Sequence, residues 1–491
     1  MGSPPSHSEL VDQVTLLSLR MEEVEQGHRL LKAEVLSVKE ENVRLRKENS
    51  ELSSANQSLA SRNWELEAEL AELRQKLAAY EVIKDSSNSS KPPSQDIVKQ
   101  TESRRKKSGK STGGQVGHKG HSLKCSSSPD EILPLVPGYC NQCGEVLPML
   151  EARLVSRRQV VDLPPIRPRY TEYQCYGIAC SCGHFQQEFY PAGVNSPIQY
   201  GEGVGALVSY LSVYQYLPYK RLKAALKDMF GLSMSEGSIY NLLEKVKTKA
   251  LPVYENIRAS LEKAPVVGSD ETSASVHGKK QWIWAWQDEL NTYLAIDSSR
   301  GKEAIEAQFP TGLPHSILQS DRWPAQVNTP AAGYQLCLAH LERNLNYLEA
   351  LEKQTWTTQF QKLIKAARKL KREKNRYDPN QPPVRRLEKR LDRLLEQTFC
   401  QDQAPQTYTF RNSMRKHRNK ILTFLYYESV LPDNNASERA IRNVRVKQKI
   451  SGQFKSGHKA FCVIRSVIDT AIKRNRNVWE VLSQTMALQP S

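Results

Sequence analysis

Residues 266–276 read VVGSDETSASV, residues 281–287 QWIWAWQ and residues 291–297 NTYLAID. Each run is short and rich in β-branched and aromatic side chains, and each predicts a strand. GKEAIEAQF at 301–309 has helical character, and SILQSD at 316–321 predicts a fourth strand. After a loop, YQLCLAHL at 334–341 predicts a further helix. Asp270 closes the first apolar run and Asp321 the fourth strand. A third acid, Glu438, lies near the start of a helix predicted from PDNNASERAIRNVRVKQK at 432–449, with Asp433 to Asn435 as its cap.

Three strands, a helix, a strand and a helix, in that order, match a ribonuclease-H-like fold. In that fold the first and fourth strands end in carboxylates and a late helix brings another. Two divalent ions about 3.5–4 Å apart need several carboxylate oxygens, and the acids would repel one another without the ions. Asp270, Asp321 and Glu438 are therefore the candidate catalytic residues and the candidate ligands of two Mg²⁺ or Mn²⁺ ions. Arg445 lies two turns beyond Glu438 on the same helical face and is expected to support the site. From Arg439 to Lys459 there are seven Lys or Arg and no acid. Arg439, Arg442, Lys447 and Lys449 of this stretch are expected to follow DNA phosphates. Residues 350–430 read as long charged helices, among them QKLIKAARKLKREKNR and VRRLEKRLDRLLEQTF. They predict an all-helical insertion in a catalytic domain spanning 262–475, followed by a tail over 476–491.

Far upstream, one residue in seven is repeatedly apolar: Leu17, Val24, Leu31, Val38, Leu45, Leu52, Leu59, Leu66, Leu73, then Tyr80. Three residues before each lie Val14, Met21, His28, Val35, Asn42, Asn49, Asn56, Asn63, Leu70 and Leu77. Taken as d and a positions, these predict a coiled coil over 10–83. A buried Asn at a costs stability but bonds its mate in a parallel, in-register pair, so four in succession predict a parallel homodimer.

The chain of 491 residues carries 70 Lys or Arg against 53 Asp or Glu, a net charge of +17, which predicts a polyanionic partner. Hydrophobic content of 39% is low for one globule and predicts an elongated or unfolded portion. Residues 84–128 are that portion, rich in Ser, Gly and Pro. Between Lys99 and Lys124 this segment holds eight Lys or Arg and the single acid Glu102, so it reads as a basic, disordered linker or as an arm along DNA. The polar N-terminus predicts no signal peptide, and no stretch is long and apolar enough for a membrane helix.

Six of the nine Cys fall between 125 and 182, and uneven clustering of this kind points to metal ligation in a reducing compartment. Cys140-Asn-Gln-Cys143-Gly is a thiolate knuckle, and Cys175, Cys180, Cys182 and His184 offer the second half of a tetrahedral zinc site. Cys140, Cys143, Cys180 and Cys182 are taken as the zinc ligands of a ribbon over 129–196, its strands drawn from RLVSRRQVVDLPPIRPRYTEYQCYG. The alternative is a ribbon that has lost its metal. Over 197–261, LPYKRLKAALKDMFGLSMSEGSIYNLLEKV predicts a helix, a break at Gly231, a Ser235 cap and a second helix through Lys247. That is the skeleton of a helix-turn-helix, with Lys220, Arg221, Ser238 and Tyr240 as candidate DNA contacts.

Taken in order, NSSKPPSQD, GGQVGHKG, the Cys140/Cys143 knuckle, QYGEGVGALVSYLSVYQYLPYKRL, SDET, QSDRWPA, CLAHLERNL and DNNASERAIRNVRVKQK resemble bacterial DDE transposases of the insertion sequence sixty-six class. The resemblance covers nearly the whole chain. It implies a multidomain α/β protein with an N-terminal parallel coiled coil, a zinc ribbon, a helical DNA-binding segment and a ribonuclease-H-like catalytic domain. It implies metal-dependent cleavage at terminal inverted repeats and strand transfer, with Asp270, Asp321 and Glu438 as the triad and Cys337 and His340 as the family's C-x2-H signature nearby. Small accessory proteins are expected partners besides DNA, and a cytoplasmic, nucleoid-associated location is expected. The family usually has Trp directly after Cys337, where this chain has Leu338. A non-catalytic DNA-binding regulator and a nuclease of the same fold are the alternatives.

Overall fold

The computed structural model describes residues 7–81, 85, 88, 117–120, 122–373, 382–399 and 401–488. Most of the basic linker expected over 84–128 lies outside these residues. The chain divides into two units, Met1–Ile83 and Lys84–Ser491.

The first unit is one helix, α1, His7–Glu81. Its seventy-five residues extend about 110 Å at 1.5 Å per residue. Arg29–Glu25, Arg44–Glu41 and Arg62–Glu65 pair along its surface one turn apart. The d-position residues Leu17, Val24, Leu31, Val38, Leu45, Leu52, Leu59, Leu66 and Leu73 all stand exposed along the single chain.

In the second unit two short strands, β1 (Gly177–Ala179) and β2 (Phe185–Gln187), pair antiparallel on either side of Cys180 and Cys182. An isolated bridge, Tyr139 to Val146, frames Cys140 and Cys143 in the same way. The strands expected between the two cysteine groups are not formed: residues 152–176 carry no ladder. Pro164, Pro165 and Pro168 remove three donors from the middle of that run, and β-branched composition does not compensate for absent N–H groups.

Helices α2 (Glu202–Ser209), α3 (Tyr219–Phe230) and α4 (Glu236–Glu262) follow, with a π-helical turn at Tyr210–Tyr214. Gly231, in the left-handed region at φ 68°, ends α3, and the Ser235 hydroxyl accepts the Ser238 N–H at 2.9 Å to start α4. The second helix is longer than expected, running through Pro252 to Glu262. Nor do these helices stand apart as a separate reader. Leu222, Leu226, Ile239, Leu242 and Val246 share one hydrophobic core with Ala274, Val276 and Ile283 of the sheet and with Ile464 and Ile468.

The sheet contains β3 (Val266–Val276), β4 (Lys279–Gln287), β5 (Thr292–Asp297), β6 (Leu313–Ser320) and β7 (Ala331–Leu336), in the spatial order β5-β4-β3-β6-β7. The first three are antiparallel, and β3, β6 and β7 run parallel. His277 and Gly278, both at positive φ, make the two-residue hairpin between β3 and β4. Short helices α5 (Lys302–Glu306) and α6 (Pro324–Val327) link β5 to β6 and β6 to β7. The fifth strand corrects the sequence reading: Tyr334 to Leu336 end β7, and the helix expected there, α7 (Leu338–Glu352), begins only after Cys337. AAGYQL is short, contains a Gly and runs directly into a helix, so its period is too brief to separate from the helix that follows.

Between α7 and α11 (Asn435–Ser451) come α8 (Thr355–Glu373), α9 (Pro382–Glu396) and α10 (Pro405–Lys416), a helical insertion. Its core of Trp356, Phe360, Leu391, Phe410 and Met414 is continuous with Leu341 and Leu345 of α7. Helix α12 (His458–Lys473) covers the opposite edge. There the hydroxyls of Ser466 and Thr470 accept the N–H groups of Leu294 and Thr292, closing the free edge of β5. The segment expected as a tail contains α13 (Val478–Ala487), which buries Val478, Val481, Leu482 and Met486. Among the described residues, no helix is long and apolar enough to cross a membrane.

Candidate active site

Parallel pairing of β3 with β6 ends at Gly268 opposite Gln319, and Asp270 and Asp321 each follow two residues beyond that last pair, near enough for the charge of Asp321 to act on Asp270. Asp270 is inside its strand, not at the end expected, because β3 continues to Val276 against β4. One Asp270 carboxylate oxygen accepts the N–H of Glu271 at 2.9 Å, and one of Asp321 accepts that of Trp323 at 2.8 Å. Glu438 occupies the first turn of α11, where an acid is favoured by the helix dipole. Arg343 of α7 donates to it at 2.9 Å.

The entry of α11 is fastened by four hydrogen bonds. Asn434 Nδ2 donates to the Ser269 carbonyl at 2.7 Å, and the Ser437 hydroxyl donates to Asn434 Oδ1 at 2.6 Å. The Asn434 N–H donates to Cys337 Sγ at 3.2 Å, and Gln319 Nε2 donates to the Leu431 carbonyl at 2.6 Å. Gly268 makes room for this docking: a Cβ there would lie within 2.7 Å of Gln287 Nε2, Ser437 Oγ and Asn434 Oδ1.

The acids act on one another. Burial first, then the charges of Glu271, Asp321 and Glu438, hold the Asp270 carboxyl well above the usual carboxylate range. Glu271, a fourth acid, is raised by burial and by Asp321. Arg300 Nε and Nη2 both donate to one of its oxygens, at 2.9 and 2.6 Å, and Gln326 donates to the other at 3.0 Å. Arg300 is itself stacked, 3.6 Å from the Trp323 ring centre and 4.7 Å from that of Trp282.

Cys337 immediately precedes α7 and is buried, and burial pushes its thiol up to about 11. His340, one turn later, places Nδ1 3.6 Å from Glu438. Burial, then Arg343, lowers the imidazole below its usual range and favours the neutral ring. Asp321, Arg322, Trp323, Cys337 and His340 line a common open cleft of about 270 Å³.

Other candidate residues are distributed differently. Arg445 is partly buried, and its affinity for a proton is lowered by burial and raised by Asp270. Arg439, Arg442 and Lys449 share an exposed stripe of α11. Lys447 does not: it lies with Ala440 and Val444 on the inner face, buried, its ammonium directed to the Ser212 carbonyl at 3.5 Å. The expectation that it follows phosphates is corrected, because a count of charges along a helix does not say which face each occupies. Lys220 and Arg221 are exposed, Tyr240 is partly buried, and Ser238 is engaged in capping α4.

The cysteines form two matching turns. Gly144 N–H donates to the Cys140 carbonyl and Gly183 N–H to that of Cys180, each at 2.9 Å. In each turn the first thiol is lowered, chiefly by a backbone hydrogen bond, from Cys143 and Cys182 respectively. The four expected zinc ligands are not gathered into one cluster. Among the described residues, the one group of three metal-binding side chains whose ligand atoms lie within 4.8 Å of one another is Cys337, His340 and Glu438.

Glu271, Arg300, Gln326 and Arg343 were not singled out from the sequence, and Asn434 only as part of the cap of the Glu438 helix. Two signals were available: Glu271 adjoins Asp270, and Arg343 follows His340 by three residues, on the same helical face.

The family model described as Transposase IS66 family matches residues 197–461, and one described as a family of unknown function (DUF6444) matches residues 36–124. No curated protein matches the chain.

Proposed function

Because the chain belongs to the IS66 transposase family, whose model spans more than half of it, we propose that it binds the terminal inverted repeats of its element, cuts there and joins the freed 3′-hydroxyls to target DNA. The observation that carries this reading is that Asp321 and Glu438, far from Asp270 in sequence, stand close enough for their charges to act on its buried carboxyl. The strand order β5-β4-β3-β6-β7, three antiparallel and two parallel, supports a ribonuclease-H-like catalytic domain.

The oxygen donors of these three side chains suit Mg²⁺ or Mn²⁺, and Asp270, raised first by burial and then by the neighbouring acids, is a carboxyl whose charged form a bound cation would favour. Two such ions, when bound, supply activation of the attacking hydroxyl and stabilisation of the leaving oxygen in an in-line phosphoryl transfer. The chain's own residues hold the acids in place: Arg343 orients Glu438, Asn434 ties α11 to β3, and Arg300 and Gln326 hold Glu271 behind Asp270. The exposed Arg439, Arg442 and Lys449, with Lys220 and Arg221, are suited to DNA phosphates. Cys140, Cys143, Cys180 and Cys182 supply two pairs of thiols, one of each pair already lowered, and a structural zinc there requires the two turns, which are apart in this structure, to close on the ion. The unpartnered apolar stripe of α1 supports a parallel homodimer, which would raise the local concentration of a second subunit when two ends are paired.

Strand-transfer assays with pre-cut ends, using wild type and Asp270→Asn, test the reading. Joined product in the wild type alone supports it. Hydrolysis without joining supports a nuclease, and end binding with neither reaction supports a regulator.

A further inference from the structure

We propose that Cys337, His340 and Glu438 form a binding site for a zinc-class divalent cation, distinct in donor chemistry from the carboxylate site and sharing Glu438 with it. Three observations carry the inference. The sulfur, nitrogen and oxygen donors already lie within 4.8 Å of one another. Cys337 caps the start of α7 and His340 lies three residues later in its first turn, so both donors stand at the same helix end. Finally, His340 Nδ1 is buried with no hydrogen-bond partner, although it is 3.6 Å from Glu438. A buried, unpaired ring nitrogen costs free energy unless something occupies it.

The donor set selects the cation. Thiolate and imidazole suit zinc or cobalt and are poor ligands for Mg²⁺, which takes oxygen. Cys337 and His340 line the open cleft, and three protein ligands leave a fourth tetrahedral position for water or another ligand, the pattern of a reactive or exchangeable site and not of a closed structural one. Binding replaces the Cys337 S–H bond by a metal–sulfur bond, and the proton leaves to solvent. The Asn434 N–H that Sγ already accepts remains available to the thiolate. Arg343 already donates to Glu438 Oε1 at 2.9 Å, so the cation and the guanidinium would share this carboxylate.

If the proposed transposition chemistry is correct, an ion held here withdraws Glu438 from the hard-cation site, so zinc inhibits the Mg²⁺-supported reaction. Only this consequence rests on that reading; the binding site itself does not.

Cobalt titration of the full-length wild type, Cys337→Ser and His340→Ala tests the site by absorption. The cysteine turns at 140–143 and 180–182 contribute equally to all three spectra. The expected result is one cobalt equivalent per chain fewer in Cys337→Ser, together with loss of the sulfur-to-cobalt charge-transfer intensity of one thiolate. His340→Ala, which retains the thiol, is expected to lose the same equivalent. Circular dichroism of each variant verifies folding. Identical stoichiometry and spectra in wild type and folded His340→Ala overturn the site. Zinc inhibition of joining in excess Mg²⁺ is expected to weaken at least tenfold in Cys337→Ser, and undiminished inhibition overturns the sharing of Glu438. Absence of joining by the wild type counts against the proposed function, while the cobalt spectra still decide the site.

Discussion

Asn434 Nδ2 donates to the carbonyl of Ser269 at 2.7 Å, directly before Asp270 in β3 and four residues before Glu438 in α11. One buried amide therefore ties together the two elements that carry the first and last acids. Its backbone N–H reaches Cys337 as well, so the start of α7 is bound into the same knot. Positional accuracy at an acid cluster is worth more than the hydrogen bonds that provide it, since an error of about 1 Å can cost about 100-fold in rate.

Asn434→Ala is accordingly expected to lower strand transfer about 100-fold while leaving end binding within about twofold. The buried Ser269 carbonyl loses its side-chain donor, so stability should fall by about 1–3 kcal/mol. Gel-shift titration beside a joining assay checks the separation. An equal loss of both activities would place Asn434 in general folding instead.

Gly268→Ala tests the same joint from the strand side. The added methyl would meet Asn434 Oδ1 and Ser437 Oγ at less than 3 Å, and neither polar atom can retreat without breaking the hydrogen bond they share. Overpacking of this kind typically costs about 1–3 kcal/mol. The expected outcome is a lower melting temperature and a loss of joining greater than that of a control such as Gly333→Ala, where the nearest atom would be an ordinary 3.6 Å away.

Much of this architecture was legible because the strands around Asp270 and Asp321 are bounded by turns and carry β-branched or aromatic runs. The helix holding Glu438 begins at a polar DNNAS segment. The long N-terminal helix was legible from heptads alone. What escaped the sequence is tertiary in origin. β7 is a strand because β6 lies beside it, and AAGYQL by itself has little pattern. Residues 152–176 look like strands by composition, yet three prolines and the absence of a neighbouring strand leave them unpaired. Arg300 meets Glu271 across twenty-nine residues, a pairing that no local spacing encodes.

Lys447 provides a test of the corrected helix face. Burial lowers its ammonium to about 8 from an ordinary 10.5, so the folded protein releases this proton before the unfolded chain does. Between those values the unfolded chain binds more protons, and stability rises with pH; below about pH 8 the full cost of the buried charge is present. Lys447→Met, similar in volume and uncharged, should therefore stabilise the protein by about 1–3 kcal/mol near neutral pH. The gain should shrink as pH approaches about 10. DNA affinity should be unchanged, whereas Arg442→Ala and Lys449→Ala should weaken it and flatten its salt dependence. Thermal melts across pH and salt-dependent binding titrations separate these outcomes; weakened binding by Lys447→Met would return the residue to the phosphate track.

The N-terminal helix makes a prediction that is independent of the acids. Its d-position leucines are exposed in the single chain, so the stripe gains stability only when a second helix covers it. At the facing a positions, Asn42, Asn49, Asn56 and Asn63 would place four amides in the seam. Each costs free energy there, which is recovered best when an identical amide lies opposite in a parallel, in-register pair. Sedimentation equilibrium of the full chain is therefore expected to give a dimer. Replacing all four Asn by Leu should raise the melting temperature of the helix and yield a mixture that includes species larger than dimers, because the polar discrimination against other registers and stoichiometries is gone. Replacing Leu45, Leu52 and Leu59 by Lys should give monomers with an unchanged sheet domain. A wild-type chain that sediments as a monomer at micromolar concentration, or a four-Leu variant that remains strictly dimeric, contradicts the assignment of these amides to the seam.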